Sequence, residues 1–164
     1  MIRLAASGLL LALALACAGP AAAGDVSPAD KAAVLQAAHV TLDARGLVKN
    51  ACDEKVAPTF TAVEIAGLGT TILMVLPGGP NTATCYGDGP GQLSLFQRTP
   101  AGFKLIFEAQ GYIGVLATST GGVRDIAVGG PGFSSPVYVW NGSAYAASRR
   151  TVSDAVYGAA PSYP

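Results

Sequence analysis

The sequence predicts an α+β domain: one N-terminal helix packed on an antiparallel, meander-like sheet of about seven or eight short strands. Three observations lead there. One capped helical segment stands near the N-terminus. Nearly every apolar run after it is short, rich in β-branched and aromatic residues, and closed by Gly or Pro. The composition, 51% hydrophobic and 12% charged with 21 glycines, suits a compact β-rich body with enough apolar residues for a core.

The helix begins at Ser27-Pro28-Ala29-Asp30: serine as N-cap, proline at the first helical position, and aspartate near the positive end of the dipole. Val34, Leu35, Ala38 and Leu42 recur near one face, so the helix is expected to run through Arg45 and stop at Gly46. Such a stripe packs on a sheet rather than standing alone. Residues 46–57 are polar and read as a connecting loop.

Strands are expected over residues 60–66 and 70–76, separated by Gly67-Leu68-Gly69. The second run, Ile72-Leu73-Met74-Val75-Leu76, is apolar at every position, which predicts a central strand covered on both faces. Residues 93–98 and 103–108 flank Thr99-Pro100-Ala101-Gly102 as a hairpin, with Phe103, Leu105 and Phe107 sharing one face. Further strands are expected at 113–117 and 124–128. A last hairpin turns about Asn141-Gly142 and closes the sheet. The domain so read covers residues 24–150, with 151–164 a flexible tail of loop composition.

The first 23 residues read as a signal peptide. Arg3 supplies the positive start, residues 4–18 an uncharged apolar run, and Ala21-Ala22-Ala23 a small-residue cleavage site. The run is shorter than the about 20 residues a spanning helix needs, so no integral anchor is expected after cleavage. The protein is then periplasmic or secreted. Lipidation at Cys17 is the alternative, although the leucine stands at Leu15 rather than three positions before the cysteine. If Cys17 leaves with the signal, Cys52 and Cys85 remain, and an even pair in an exported chain reads as a disulfide. Closing that loop contributes on the order of 3 kcal/mol in the chain-entropy model.

Ten basic and ten acidic residues are scattered without runs, which argues against a nucleic-acid partner and against docking on anionic lipid. No cofactor or metal is expected. His39 is the only histidine and stands on the expected helix, without a Gly-x-Ser-x-Gly nucleophile or a set of metal ligands beside it. Residues 87–91 have the glycines of a phosphate loop, but no Lys-Ser/Thr follows and the next element is a strand. Two function classes stay open. The first is a non-catalytic envelope module that binds a protein or glycan through Tyr138, Trp140, Tyr145 and Tyr86. The second is a hydrolase-like enzyme using carboxylates such as Asp88 and Asp125, which would have to converge in a cleft.

Two resemblances accompany these residues. Glu64-Ile-Ala-Gly-Leu-Gly-Thr-Thr-Ile72 resembles in outline the calcium loop of FG-GAP/VCBS-type repeats: it keeps one carboxylate and the glycine turn, while Ala66, Leu68 and Ile72 stand where that pattern has oxygen ligands. That implies a degenerate loop that has lost its metal, since calcium takes six to eight oxygens. The elements Cys85-Tyr86-Gly87, residues 125–133 with Gly-Gly-Pro-Gly-Phe, and Trp140-Asn-Gly-Ser-Ala-Tyr145 together resemble a group of small exported bacterial proteins with no assigned activity. Those proteins often carry a cysteine after the Gly-Gly-Pro-Gly-Phe, where this chain has Ser134. The resemblance implies an exported β-rich domain and supplies no reaction.

Overall fold

The structure, a computed structural model, describes residues 25–81, 86–87, 89–129 and 134–163. Helix α1 (Pro28–Ala37) starts at Ser27, whose Oγ accepts the Asp30 N–H at 3.1 Å. It ends well before Gly46. His39 adopts φ 55°, its N–H donates to the Gln36 carbonyl at 3.1 Å, and the Val40 N–H donates to the Leu35 carbonyl at 2.9 Å. This is a Schellman closure with histidine in the left-handed position that glycine usually takes. Gly46 instead follows a turn centred on Asp43, whose Oδ1 accepts the N–H groups of Arg45 and Leu47 at 2.9 and 3.0 Å.

The segment expected as a loop contains a small ribbon, β1 (Val48–Lys49) against β2 (Lys55–Val56). Asn50 closes it: Oδ1 accepts the N–H groups of Cys52 and Glu54, and Nδ2 donates to the Pro77 carbonyl at 2.9 Å.

The longer strands divide between two antiparallel sheets rather than forming one. The first is the meander β3 (Thr59–Ile65), β4 (Gly69–Pro77), β5 (Gly91–Thr99) and β6 (Gly102–Gln110). After Gly111 a second meander follows: β7 (Tyr112–Thr120), β8 (Val123–Gly129), β9 (Ser135–Trp140) and β10 (Tyr145–Val152). A short β11 (Ser162–Tyr163) returns to the outer side of β7, giving the order β10-β9-β8-β7-β11.

Strand periodicity explains the stacking. Leu73 and Val75 of β4 face Ile113, Ile126 and Val128 of the second sheet across the main core, while Ile72 and Met74 point the other way, to Val34 of α1. On the far side of the second sheet Ala127 and Val137 pack on Tyr157 of α2 (Asp154–Gly158). The layers therefore run α1, first sheet, second sheet, α2. Two sheets apolar on both faces require this arrangement.

Two expectations are corrected here. Phe103 and Phe107 lie on opposite faces, Phe103 against the helix layer and Phe107 in the main core. Leu95 pairs with Phe107 but Phe96 pairs with Leu105, so Ile106 is an extra residue that reverses the alternation. The C-terminal residues form α2 and β11 instead of a flexible tail. Tyr157 anchors them: its hydroxyl lies 2.9 Å from the Tyr112 carbonyl and 3.1 Å from that of Gly129. Gly114 leaves room for the ring, since a Cβ there would come within 3.0 Å of it.

Candidate functional site

The two sheets are closed against each other at one end. The turn after β3 meets the turn between β7 and β8, and the Arg124 N–H donates to the Ala66 carbonyl at 3.0 Å. Gly67, at φ 97°, makes the approach possible, because a Cβ there would lie 2.3 Å from the Gly122 carbonyl oxygen. Packing thus accounts for Gly67, whereas Gly69 has open space about it and is accounted for by its left-handed backbone, φ 71°. Glu64 itself accepts a hydrogen bond from Thr70.

Beside this seam β7 bulges, and β10 bulges on the other side of the sheet. Between the pairs Val115↔Ile126 and Ser119↔Arg124, three residues of β7 oppose one of β8. Between Ala147↔Tyr138 and Thr151↔Pro136, three residues of β10 oppose one of β9. Side chains take over from the interrupted ladders. Arg124 Nη1 donates to the carbonyls of Leu116 and Ala117, and Ser148 Oγ donates to the Val137 carbonyl at 2.7 Å. Bulges re-aim side chains. Here they direct Thr118 from one strand and Arg150 from the other onto Asp125 of β8, each 2.7 Å from Oδ2.

Asp125 is fully buried, and its Oδ1 has no hydrogen-bond partner among the described residues. Burial pushes the carboxyl pKa up, but the Thr118 and Arg150 hydrogen bonds, the nearby Thr120 hydroxyl and the Arg150 charge outweigh it and hold it below the ordinary aspartate value. The carboxylate in turn acts on Tyr145. Burial first, and then the Asp125 charge, raise the phenol far above its usual pKa, while its hydroxyl donates to the Arg124 carbonyl at 2.7 Å. A buried, ion-paired aspartate held below its ordinary pKa is charged at neutral pH and acts as a structural strut.

The open feature lies between the seam and α2. A groove of about 630 Å³ has residues 115–117 of β7 along it, Val156 of α2 and its C-cap Ala159 on one side, and Glu64 with Ala66 on the other. Pro161 marks where β11 begins. Val156 is 51% exposed, one of two large exposed hydrophobics among the described residues. Arg124 also lines the groove. Its Nη1 is engaged by the two β7 carbonyls, and among the described residues Nη2 and Nε carry no hydrogen bond. The groove thus offers aliphatic walls, one guanidinium edge and one carboxylate.

The aromatic residues expected to form a contact surface are committed to packing. Tyr86 and Tyr145 are each only 7% exposed, which removes them from a surface. Tyr138 and Trp140 are half-buried against the main core; Tyr138 meets Phe107 edge-on at 4.7 Å, and Trp140 meets Tyr145 at 5.6 Å. Val137 and Val139 face α2, so both faces of β9 are covered. Cys52 lies in the β1–β2 turn, while Cys85, Asp88, Cys17 and the signal segment fall outside the described residues. His39 serves as the α1 terminator. Sequence reasoning missed Arg124, Glu64 and α2 as neighbours. Only the apolar stretch at 155–160 within an expected tail signalled that something there packs.

Among the described residues, no three His, Cys, Asp or Glu side chains gather as a metal site, and no helix is long and apolar enough to cross a membrane. Comparisons with known protein families, curated proteins and solved structures find no match.

Proposed function

We propose that this chain is exported, loses residues 1–23, and works as a non-catalytic envelope module that binds a polypeptide segment in the groove beside α2. The observation that carries the reading is the groove itself: an aliphatic trough of about 630 Å³ with Arg124 and Glu64 as its charged residues. Ligand sites combine apolar walls with a few placed polar groups in this way. A glycan would need exposed aromatic faces, whereas Tyr138 and Trp140 are half-buried in edge-on contacts. The hydrolase reading loses support because Asp125 is sequestered with Arg150.

The Cys52–Cys85 disulfide belongs to the same proposal. Tyr86, next to Cys85, accepts the N–H of Ala51, next to Cys52, at 3.1 Å through its phenol oxygen, which supports the pairing. Mass mapping of the envelope protein without reduction is expected to recover the two cysteines in one linked peptide pair.

The binding test uses fluorescence anisotropy with a labelled apolar peptide of alternating Val and Ala, alongside chito-oligosaccharide. The peptide is expected to bind saturably and to be blocked by Ala159→Trp, a change at the exposed C-cap of α2. Sugar binding that Trp140→Ala abolishes without altering the melting temperature would favour the aromatic face instead.

A further inference from the structure

The geometry points to a specific ligand for the groove: the C-terminal end of an apolar peptide, with its free carboxylate on Arg124. This rests on the reading of the groove as a polypeptide site and adds what part of the polypeptide it takes. Arg124 is held in place from two directions. Its backbone N–H is tied to Ala66, and its Nη1 is tied to the Leu116 and Ala117 carbonyls at the β7 bulge. That bracing fixes the guanidinium, while Nη2 and Nε, the side-on edge of the fork, remain without a hydrogen bond among the described residues. A carboxylate accepts two parallel N–H bonds from such an edge, and a guanidinium already ordered loses little rotamer freedom on binding.

The rest of the groove selects what is attached to that carboxylate. Val115, Ala117 and Val156 provide surface for aliphatic side chains, with the buried Leu116 beneath them. Glu64 distinguishes a peptide from a fatty acid. A hydrocarbon tail laid along the groove would desolvate the Glu64 carboxylate and give it nothing in return, which is costly. A peptide main chain offers N–H donors to it. The same negative charge disfavours an acidic residue upstream of the peptide terminus. The groove therefore suits a peptide C-terminus with aliphatic residues and no acidic neighbour.

The test uses the full folded protein and four probes read by anisotropy or competition: a labelled Ala-Val-Ala-Val-Leu with a free carboxylate, the same peptide amidated, a version with aspartate before the final leucine, and dodecanoate. The free acid is expected to bind on the order of tenfold tighter than the amide, as charge-assisted bidentate bonds do. The aspartate peptide and dodecanoate are expected to bind more weakly than the free acid. Arg124→Met should bring the acid-to-amide ratio to about one. Arg124→Lys, which keeps the charge and loses the fork, should keep only part of the preference.

Equal affinity for acid and amide in the wild-type protein would overturn this inference and leave the groove as a site for internal segments. Dodecanoate binding more tightly than either peptide would overturn it in favour of a lipid. Failure of every peptide to bind would overturn the proposed function as well. If Arg124→Met lowers the melting temperature, the wild-type ratio together with Ala159→Trp decides the matter. Ala159→Trp must then abolish binding of the free acid at an unchanged melting temperature, and undiminished binding would remove the ligand from the groove.

Discussion

Arg150 on the edge strand β10 reaches across β9 to place its guanidinium 2.7 Å from the buried carboxylate of Asp125 on β8. The bulges in β7, opposite Asp125, and in β10, opposite Val137, re-aim the side chains that meet on the carboxylate. The pair also bears on the rim of the groove, because Asp125 follows Arg124 in the chain.

Removing one partner leaves the other in difficulty. Arg150→Ala would strand a buried carboxylate, a change that costs roughly 3–5 kcal/mol for fully enclosed pairs. Arg150 is about half exposed, so the loss here should be about 2 kcal/mol, read as a lower urea midpoint. Asp125→Asn should be less harmful than Arg150→Ala, because a neutral amide still accepts from Thr118.

Acid should unfold the protein through its depressed aspartates. Asp125 is held below its ordinary value, and so are Asp30, chiefly by its hydrogen bond with Arg98, and Asp43, lowered to about 2 chiefly by that with Lys55. Groups with a lowered folded pKa stabilise the fold above the unfolded value near 4, and that contribution is lost as pH falls through the folded values. Stability measured by urea titration should be flat on the acid side down to about pH 5 and fall steeply below about pH 4. In Asp125→Asn the decline should be shallower.

His39→Gly should stabilise the protein. The left-handed conformation costs a residue with a Cβ about 1 kcal/mol, and glycine is free of that strain, though it adds entropy to the unfolded chain. The net gain should be about 0.5 kcal/mol, measurable as a rise of a degree or two in melting temperature. Unchanged function would agree with its role as a helix terminator.

Trp140→Ala should lower stability rather than peptide affinity. Its ring packs on Tyr145 and the main core, and truncating a core aromatic costs about 3 kcal/mol, with half-burial reducing that to about 2. Denaturant titration and the anisotropy assay on the same sample separate the two effects.

Tyr157→Ala should free the C-terminal segment. It removes the ring seated over Gly114 and the hydroxyl shared by two carbonyls, for about 3–4 kcal/mol. Amide exchange should become fast through α2 and β11 while β4 and β5 stay protected.

Much of the fold was legible because it rests on local chemistry. Ser27-Pro28-x-Asp30 combines three helix-start preferences, and the β-branched, Gly- and Pro-bounded apolar run of β4 favours a doubly covered strand. The positions that misled are those where a single residue acts against its type. His39 ends a helix in a conformation that histidine rarely takes. Ile106 enters as an extra residue and moves Phe103 to the other face, which no alternation pattern can register. The division into two sheets depends on which strands pair after Gly111, a long-range choice. The candidate site was hidden for the same reason. Glu64, Arg124 and Val156 come from distant parts of the sequence, and the bulge that braces Arg124 is a property of strand register, while the aromatic motifs that stand out in the sequence fasten the core.

The most direct test of the account is a titration of the folded protein with the free-acid apolar peptide, followed by amide chemical shifts. Binding in the groove should give saturable shifts confined to β7, the N-terminal part of β8, α2 and the end of β3, with Ala159→Trp eliminating them. Shifts centred on Tyr138 and Trp140, or none at saturating peptide, would contradict it.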